Sequence, residues 1–137
     1  MTAKDRLRVL LRIEHFTNYT HEKGIRYSEW TTSCGFLWRM KSSIDSGGIF
    51  SVYLECKRED NSSEWTAKID CIFQLISQDG KHCCTPHHCV MTSKYASHLG
   101  FVYPSEYILN AAHGHIIEDC VEVAVELDFT TFHIENK

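Results

Sequence analysis

From Ile49 to Cys56 apolar and polar residues alternate without a break. Phe50, Val52, Leu54 and Cys56 fall on one side, Ser51, Tyr53 and Glu55 on the other. Successive side chains of a strand project to opposite faces, so the pattern predicts a strand with one buried face. Asp45-Ser-Gly-Gly supplies a turn before it, since glycine reaches positive φ without steric cost. Lys57 to Ser63 reads as a polar loop after it. Tyr53 is the odd member, a large aromatic on the face that meets water.

The same period recurs along the chain. Leu7, Val9, Leu11 and Ile13 predict a first strand, although Leu7, Leu10 and Leu11 also share a helical face. Thr17–Gly24 is polar and turn-like. Ile25–Thr32, rich in aromatic and β-branched residues, predicts a second strand, and Phe36, Trp38 and Met40 mark a third. Ile49–Cys56 is the fourth. Glu64–Ile76 is a long strand with Trp65, Ala67, Ile69, Cys71, Phe73 and Leu75 on one face. Ile72 and Ile76 on the other face suggest a bulge or burial on both sides. Asp79-Gly80 signals a hairpin turn. Cys89–Tyr95 and Ser97–Tyr103 are further strands, Pro104–Ala112 has room for one helical turn, and Val121, Val123, Val125 and Leu127 mark the last strand. The tail from Thr130 reads as loose, with Phe132 and Ile134 able to dock. Seven or eight short strands without a βαβ rhythm, a long helix or a repeat predict a β-sandwich or barrel.

Size and charge narrow the function. The 137 residues suit one domain, and 43% hydrophobic and 23% charged residues are ordinary for a globular chain. A net charge of −4 without a basic run argues against nucleic acid as a partner. No apolar stretch reaches membrane-spanning length, and no apolar segment follows the charged N-terminus as in a signal peptide. The expected location is cytoplasmic, with the nucleus open. Seven cysteines, an odd number, are then expected as free thiols.

Two chemical readings are weighed against that of a binding domain. His82-Cys83-Cys84-Thr-Pro-His87-His88-Cys89 gathers zinc-ligating residue types, with Cys84 and His87 at a workable local spacing. A structural zinc needs four converging ligands, and no second pair stands at a familiar distance in sequence. The expectation is a polar connecting loop without metal or other cofactor. A cysteine–histidine hydrolase would need base, orienting group and oxyanion site in one place. With seven cysteines and nine histidines some close pair is inevitable, so no enzyme is expected.

The order of landmarks resembles a MATH domain (meprin and TRAF homology) over about residues 11–129. The matching stretches are Leu11-Arg-Ile-Glu-His-Phe16-Thr, Phe36-Leu-Trp38-Arg-Met, Phe50-Ser-Val-Tyr53-Leu, Leu99-Gly100-Phe101, and Gly114 to Asp119 leading into the Val121–Val125 strand. The resemblance implies an eight-stranded antiparallel β-sandwich, all-β, filling the chain 1–137 as a single domain. It implies a protein-interaction module that holds short extended peptides of partner proteins in a shallow groove. The branch it is most similar to is that of the BTB-MATH substrate adaptors, which implies substrate recognition for Cullin-3-type ubiquitination. A TRAF-like signalling adaptor is the alternative within binding. Carried over by position, the groove residues are Tyr53, Cys71, Met91, Leu99 and Phe101, with Ser97, His98 and Gly100 beside them. Cys71, Met91 and Leu99 replace aromatics of the relatives, which implies a roomier pocket for bulkier apolar ligand side chains.

Overall fold

The computed structural model describes residues 5–60 and 64–136. Ten strands and two short helices follow in the order β1 (Arg6–Ile13), α1 (Phe16–Glu22), β2 (Ile25–Tyr27), β3 (Thr31–Ser33), β4 (Phe36–Ile44), β5 (Ile49–Arg58), β6 (Trp65–Leu75), β7 (Cys83–Thr92), β8 (Ser97–Pro104), α2 (Ser105–Leu109), β9 (Ile116–Ile117) and β10 (Cys120–Asn136). The first sheet runs β1-β10-β6-β7, with β9 also on β10. The second runs β2-β4-β5-β8, with β3 also on β4. All pairings are antiparallel. The two sheets face each other across one core, so the all-β sandwich expected from alternation is the fold.

Alternation decides which face is buried. Phe36, Trp38, Phe50, Val52, Leu54, Val121, Val123 and Val125, assigned to a shared core by their period, are all buried in it. Each such side chain contributes about 1.5–3 kcal/mol when removed from water. Phe36, Trp38, Trp65, Phe129 and Phe132 interlock edge to face at one end of the core, with centroids 4.9–5.6 Å apart in the T-shaped pairs. Phe16 meets Phe50 at the other end, at 5.5 Å.

Several local expectations are corrected. The strands number ten rather than eight, because the expected second strand is split and the short β9 is added. Ser28 exchanges bonds with Met40, its N–H donating to the Met40 carbonyl at 3.0 Å and its Oγ accepting from the Met40 N–H at 2.9 Å. The intervening Glu29 and Trp30 lie outside both strands. Thr17–Gly24 is not a turn. It holds most of α1, whose Phe16 and Tyr19 are buried three residues apart, and two apolar positions are too few to give a visible period. Tyr19 Oη bonds Ser42 Oγ at 2.9 Å in the core.

His82–Cys89 is mostly strand β7 rather than a connecting loop. It lies at the edge of its sheet, where Pro86 is tolerated despite its missing N–H. Lys57 and Arg58 extend β5 rather than opening the loop, and Asn61–Ser63 lie outside the described residues. Ile72 needs neither a bulge nor two-sided burial. It is half-buried on the outer face, beside its register partners Pro86 and Glu126. The tail is not loose, because β10 resumes pairing with β6 after a register shift between Asp128 and His133, and Phe132 and Ile134 pack on the core.

Candidate functional site

The outer face of the second sheet is built in rows by register. Tyr27 on β2 pairs with Lys41 on β4, Lys41 with Tyr53 on β5, and Tyr53 with Leu99 on β8. The neighbouring row runs Ile25, Ser43, Ser51, Val102. On the other side Arg39 pairs with Glu55 and Glu55 with Ser97. Ile25, Tyr27, Leu99 and Val102 are 47–53% exposed, so large apolar side chains from the two edges of the sheet share one solvent face.

Rings and cations are interleaved there. The Arg39 guanidinium lies 3.9 Å from the Tyr27 centroid and 4.2 Å from that of Trp30. Lys41 stands 4.6 Å from the Tyr53 ring, and Lys57 4.6 Å from Trp30. Arg39 Nε donates to Glu55 Oε1 at 2.8 Å, and Lys41 Nζ is 3.8 Å from Glu55 Oε2.

A bulge sets the phase of β8. Val52 faces Phe101 but Tyr53 faces Leu99, which leaves Gly100 as the extra residue. Leu99 and Val102 therefore point outward, while Gly100 and Phe101 are buried.

The eight residues expected to line a groove separate accordingly. Tyr53, Leu99 and Ser97 share the outer face of the second sheet. Phe101 is a core residue, 9% exposed, with its ring 6.4 Å from Phe73 and 5.5 Å from Tyr103. Gly100 faces inward against the Phe73 ring rather than toward a ligand backbone. Cys71 and Met91 belong to the first sheet and are buried, Cys71 Sγ lying 3.1 Å from Cys89 Sγ and Met91 Sδ 3.8 Å from Cys56 Sγ. They do not reach the face of Tyr53 and cannot widen a pocket there. His98 turns toward the seam between β7 and β8, where its Nε2 meets His87 Nδ1 at 3.0 Å and its ring stacks on Phe73. Burial, and then the neighbouring His87, hold His98 below the ordinary imidazole pKa. His87 Nε2 is buried there without a hydrogen-bond partner among the described residues.

Position-by-position transfer missed Ile25, Tyr27, Trp30 and Val102. The signal that finds Ile25, Tyr27 and Val102 is register, since residues far apart in sequence become neighbours only when the strand pairing is known; Trp30, outside the strands, shows only through its contacts with Arg39 and Lys57.

The cysteine–histidine segment does not converge. Cys84 and His88 point outward from β7, and Cys83, His87 and Cys89 lie on the inward side. Among the described residues no group of three or more His, Cys, Asp or Glu side chains is placed to hold a metal ion. Cys83 Sγ lies 3.9 Å from His115 Nε2, and His115 Nδ1 donates to the Ile76 carbonyl at 3.0 Å. His115 is buried, its ring 5.8 Å from that of Tyr107.

Two packed antiparallel sheets, one with an aromatic and cationic outer face, define a β-sandwich. The sequence profile of the MATH domain matches residues 13–128, and the chain belongs to that family, whose members are generally protein-interaction modules. A solved structure of TRAF5 from Notothenia coriiceps is similar in fold, with a TM-score of 0.60 and 15% identity, covering 88% of this chain and 72% of that one. No curated protein sequence matches the chain.

Proposed function

We propose that this domain captures partner proteins through short extended segments laid on the outer face of the second sheet beside β8. One observation carries the reading: Ile25, Tyr27, Tyr53, Leu99 and Val102 converge on a single face of that sheet. Large apolar side chains grouped on a solvent face mark interaction surfaces more often than scattered ones do. β8 is the edge of its sheet, so an extended segment can gain main-chain hydrogen bonds there and place alternate side chains on Tyr53 and Leu99. Aromatic anchors suit this role because they bury large area with few rotors.

The resemblance of the sequence to the BTB-MATH branch of the family supports a narrower reading. In it the domain selects substrates for Cullin-3-type ubiquitination in the cytoplasm, in concert with a BTB domain.

Selection from a displayed random-peptide library tests the peptide reading. Wild-type protein enriches a motif with an apolar anchor, and Tyr53→Ala, melting normally, loses that enrichment. Enrichment unchanged in both Tyr53→Ala and Leu99→Ser refutes it. Co-purification with a BTB protein and Cullin-3 tests the narrower reading separately.

A further inference from the structure

Cys71 on β6 and Cys89 on β7 both point into the core and are buried. The register sets Cys71 opposite His87 and Cys89 opposite Ile69, so the two thiols are diagonal neighbours on one face of the strand pair. Their sulfurs lie 3.1 Å apart, within one hydrogen bond. A disulfide bond is about 2.05 Å long, so closing it asks for a shift of about 1 Å. The other five of the seven cysteines meet something else. Cys56 meets the Met91 thioether at 3.8 Å, Cys83 the His115 ring at 3.9 Å and Cys120 the Arg12 guanidinium at 3.5 Å, while Cys34 and Cys84 are exposed. β7 is an edge strand, paired with β6 alone, and its Pro86 brings no N–H to the ladder. An edge strand opens at lower cost than a strand inside its sheet.

From this geometry we infer that Cys71 and Cys89 form a reversible redox switch, in which hydrogen peroxide closes the pair to a disulfide and ties the edge strand β7 to β6. In the closed sandwich the pair is inert. The hydrogen bond with Cys89, then burial, push the Cys71 thiol far up, and the thiolate is the species that reacts. Oxidation therefore proceeds through lifting of β7, which carries Cys89 into water. There the Cys89 thiol gives its proton to solvent, and its sulfur attacks one oxygen of the peroxide. The O–O bond breaks, the departing hydroxide takes up a proton as water, and a sulfenic acid is left. As β7 settles back, the Cys71 sulfur attacks the Cys89 sulfur. The S–O bond breaks, and the hydroxyl leaves with the Cys71 proton as a second water. The two thiols give two electrons, and one peroxide becomes two waters. A thiol reductant reverses the step by exchange. The disulfide closes a loop between residues 18 apart in sequence, which removes freedom from the unfolded chain. It also fixes β7 close to His87, the residue that meets His98 on β8. Stability and the hold on this open edge thus follow the supply of oxidant.

Treatment of the native, fully reduced protein with hydrogen peroxide tests this, in a Cys34→Ser/Cys84→Ser background that removes the exposed thiols. Digestion without reductant followed by mass spectrometry is expected to give a Cys71–Cys89 cross-linked peptide pair, lost again on adding dithiothreitol. The cross-linked protein should unfold at a higher urea concentration than the reduced one. Cross-linking should run faster in urea well below the unfolding midpoint, since it waits on the lifting of β7. Cys71→Ala and Cys89→Ala each remove the cross-link and the peroxide-dependent rise in midpoint, and whichever of them folds suffices. Both thiols recovered free after exhaustive treatment, or Cys89 cross-linked to Cys56 instead, overturn the switch. A cross-linked protein no more stable than the reduced one overturns it as well. A rate that urea leaves unchanged overturns the opening step and the switch with it.

Discussion

Phe73 and Gly100 share one volume: the Phe73 ring from the first sheet fills the place where a Cβ on Gly100 of the second would stand. Phe73 is fully buried and also touches His87, His98 and Phe101, so it has little room to retreat. Gly100→Ala is therefore an overpacking change. It is expected to cost about 1–3 kcal/mol in stability, read as an earlier midpoint in urea. A midpoint equal to wild type would mean that the ring moves aside freely.

Tyr53 and Phe101 should separate binding from folding. Tyr53→Ala removes a half-buried outer ring and is expected to weaken capture of a selected peptide by about 1–3 kcal/mol with a nearly unchanged melting curve. Phe101→Ala empties a core position and is expected to cost roughly 3–5 kcal/mol of stability. Calorimetry of binding alongside thermal melts distinguishes them. A Phe101→Ala protein as stable as wild type would return that ring to the surface.

Stability should fall on mild acidification. Burial and then His87 lower the pKa of His98 in the folded state, so the unfolded chain takes up that proton first. The contribution is present above the unfolded imidazole pKa of about 6.5 and is lost as pH falls toward the lower folded value. Melting temperatures between about pH 7.5 and 5.5 should show this slope, and His98→Gln should reduce it. An equal slope in the variant would assign the effect to other groups.

The exposed and the buried thiols should react differently, with Cys83 and Cys120 of intermediate exposure between them. Cys34 and Cys84 are exposed, whereas Cys56, Cys71 and Cys89 are buried. The hydrogen bond with Cys89, then burial, push the Cys71 thiol far up, and burial chiefly raises Cys56 to about 12. Brief alkylation of the native protein should label Cys34 and Cys84 and spare the buried three, because the thiolate is the reacting species. Denaturation without reductant should then expose all seven cysteines to the reagent. A pair that stays unlabelled after denaturation would be a disulfide.

Val52 and Trp38 show what was legible in the sequence: each sits in an alternating run, and alternation alone fixes the buried face once a core exists. The register between runs was not legible. Tyr53 could be read as outward, but its neighbours Leu99 and Lys41 are known only from pairing. Gly100 broke the inference most sharply. One extra residue in β8 moves Phe101 to the inner face, and no period in the sequence marks that bulge. α1 was hidden for a different reason, since Phe16 and Tyr19 are embedded among polar residues. The first part of β7, Cys83–His88, was hidden by composition, because histidine, cysteine and proline are poor strand signals, while Cys89–Thr92 was read as strand.

The placement of β10 sets when the molecule can assemble. This last strand is not an edge. It lies between β1 and β6, pairing Leu11 with Val123 and Phe73 with Val125. The first sheet therefore cannot close until β10 has been made, and β1 waits for the strand of this domain most distant from it in sequence. Such sequence-distant pairing slows folding and leaves apolar strands uncovered in the interval. Until β10 pairs, Leu11 and Ile13 on β1 and one edge of β6 lack the strand that completes their sheet.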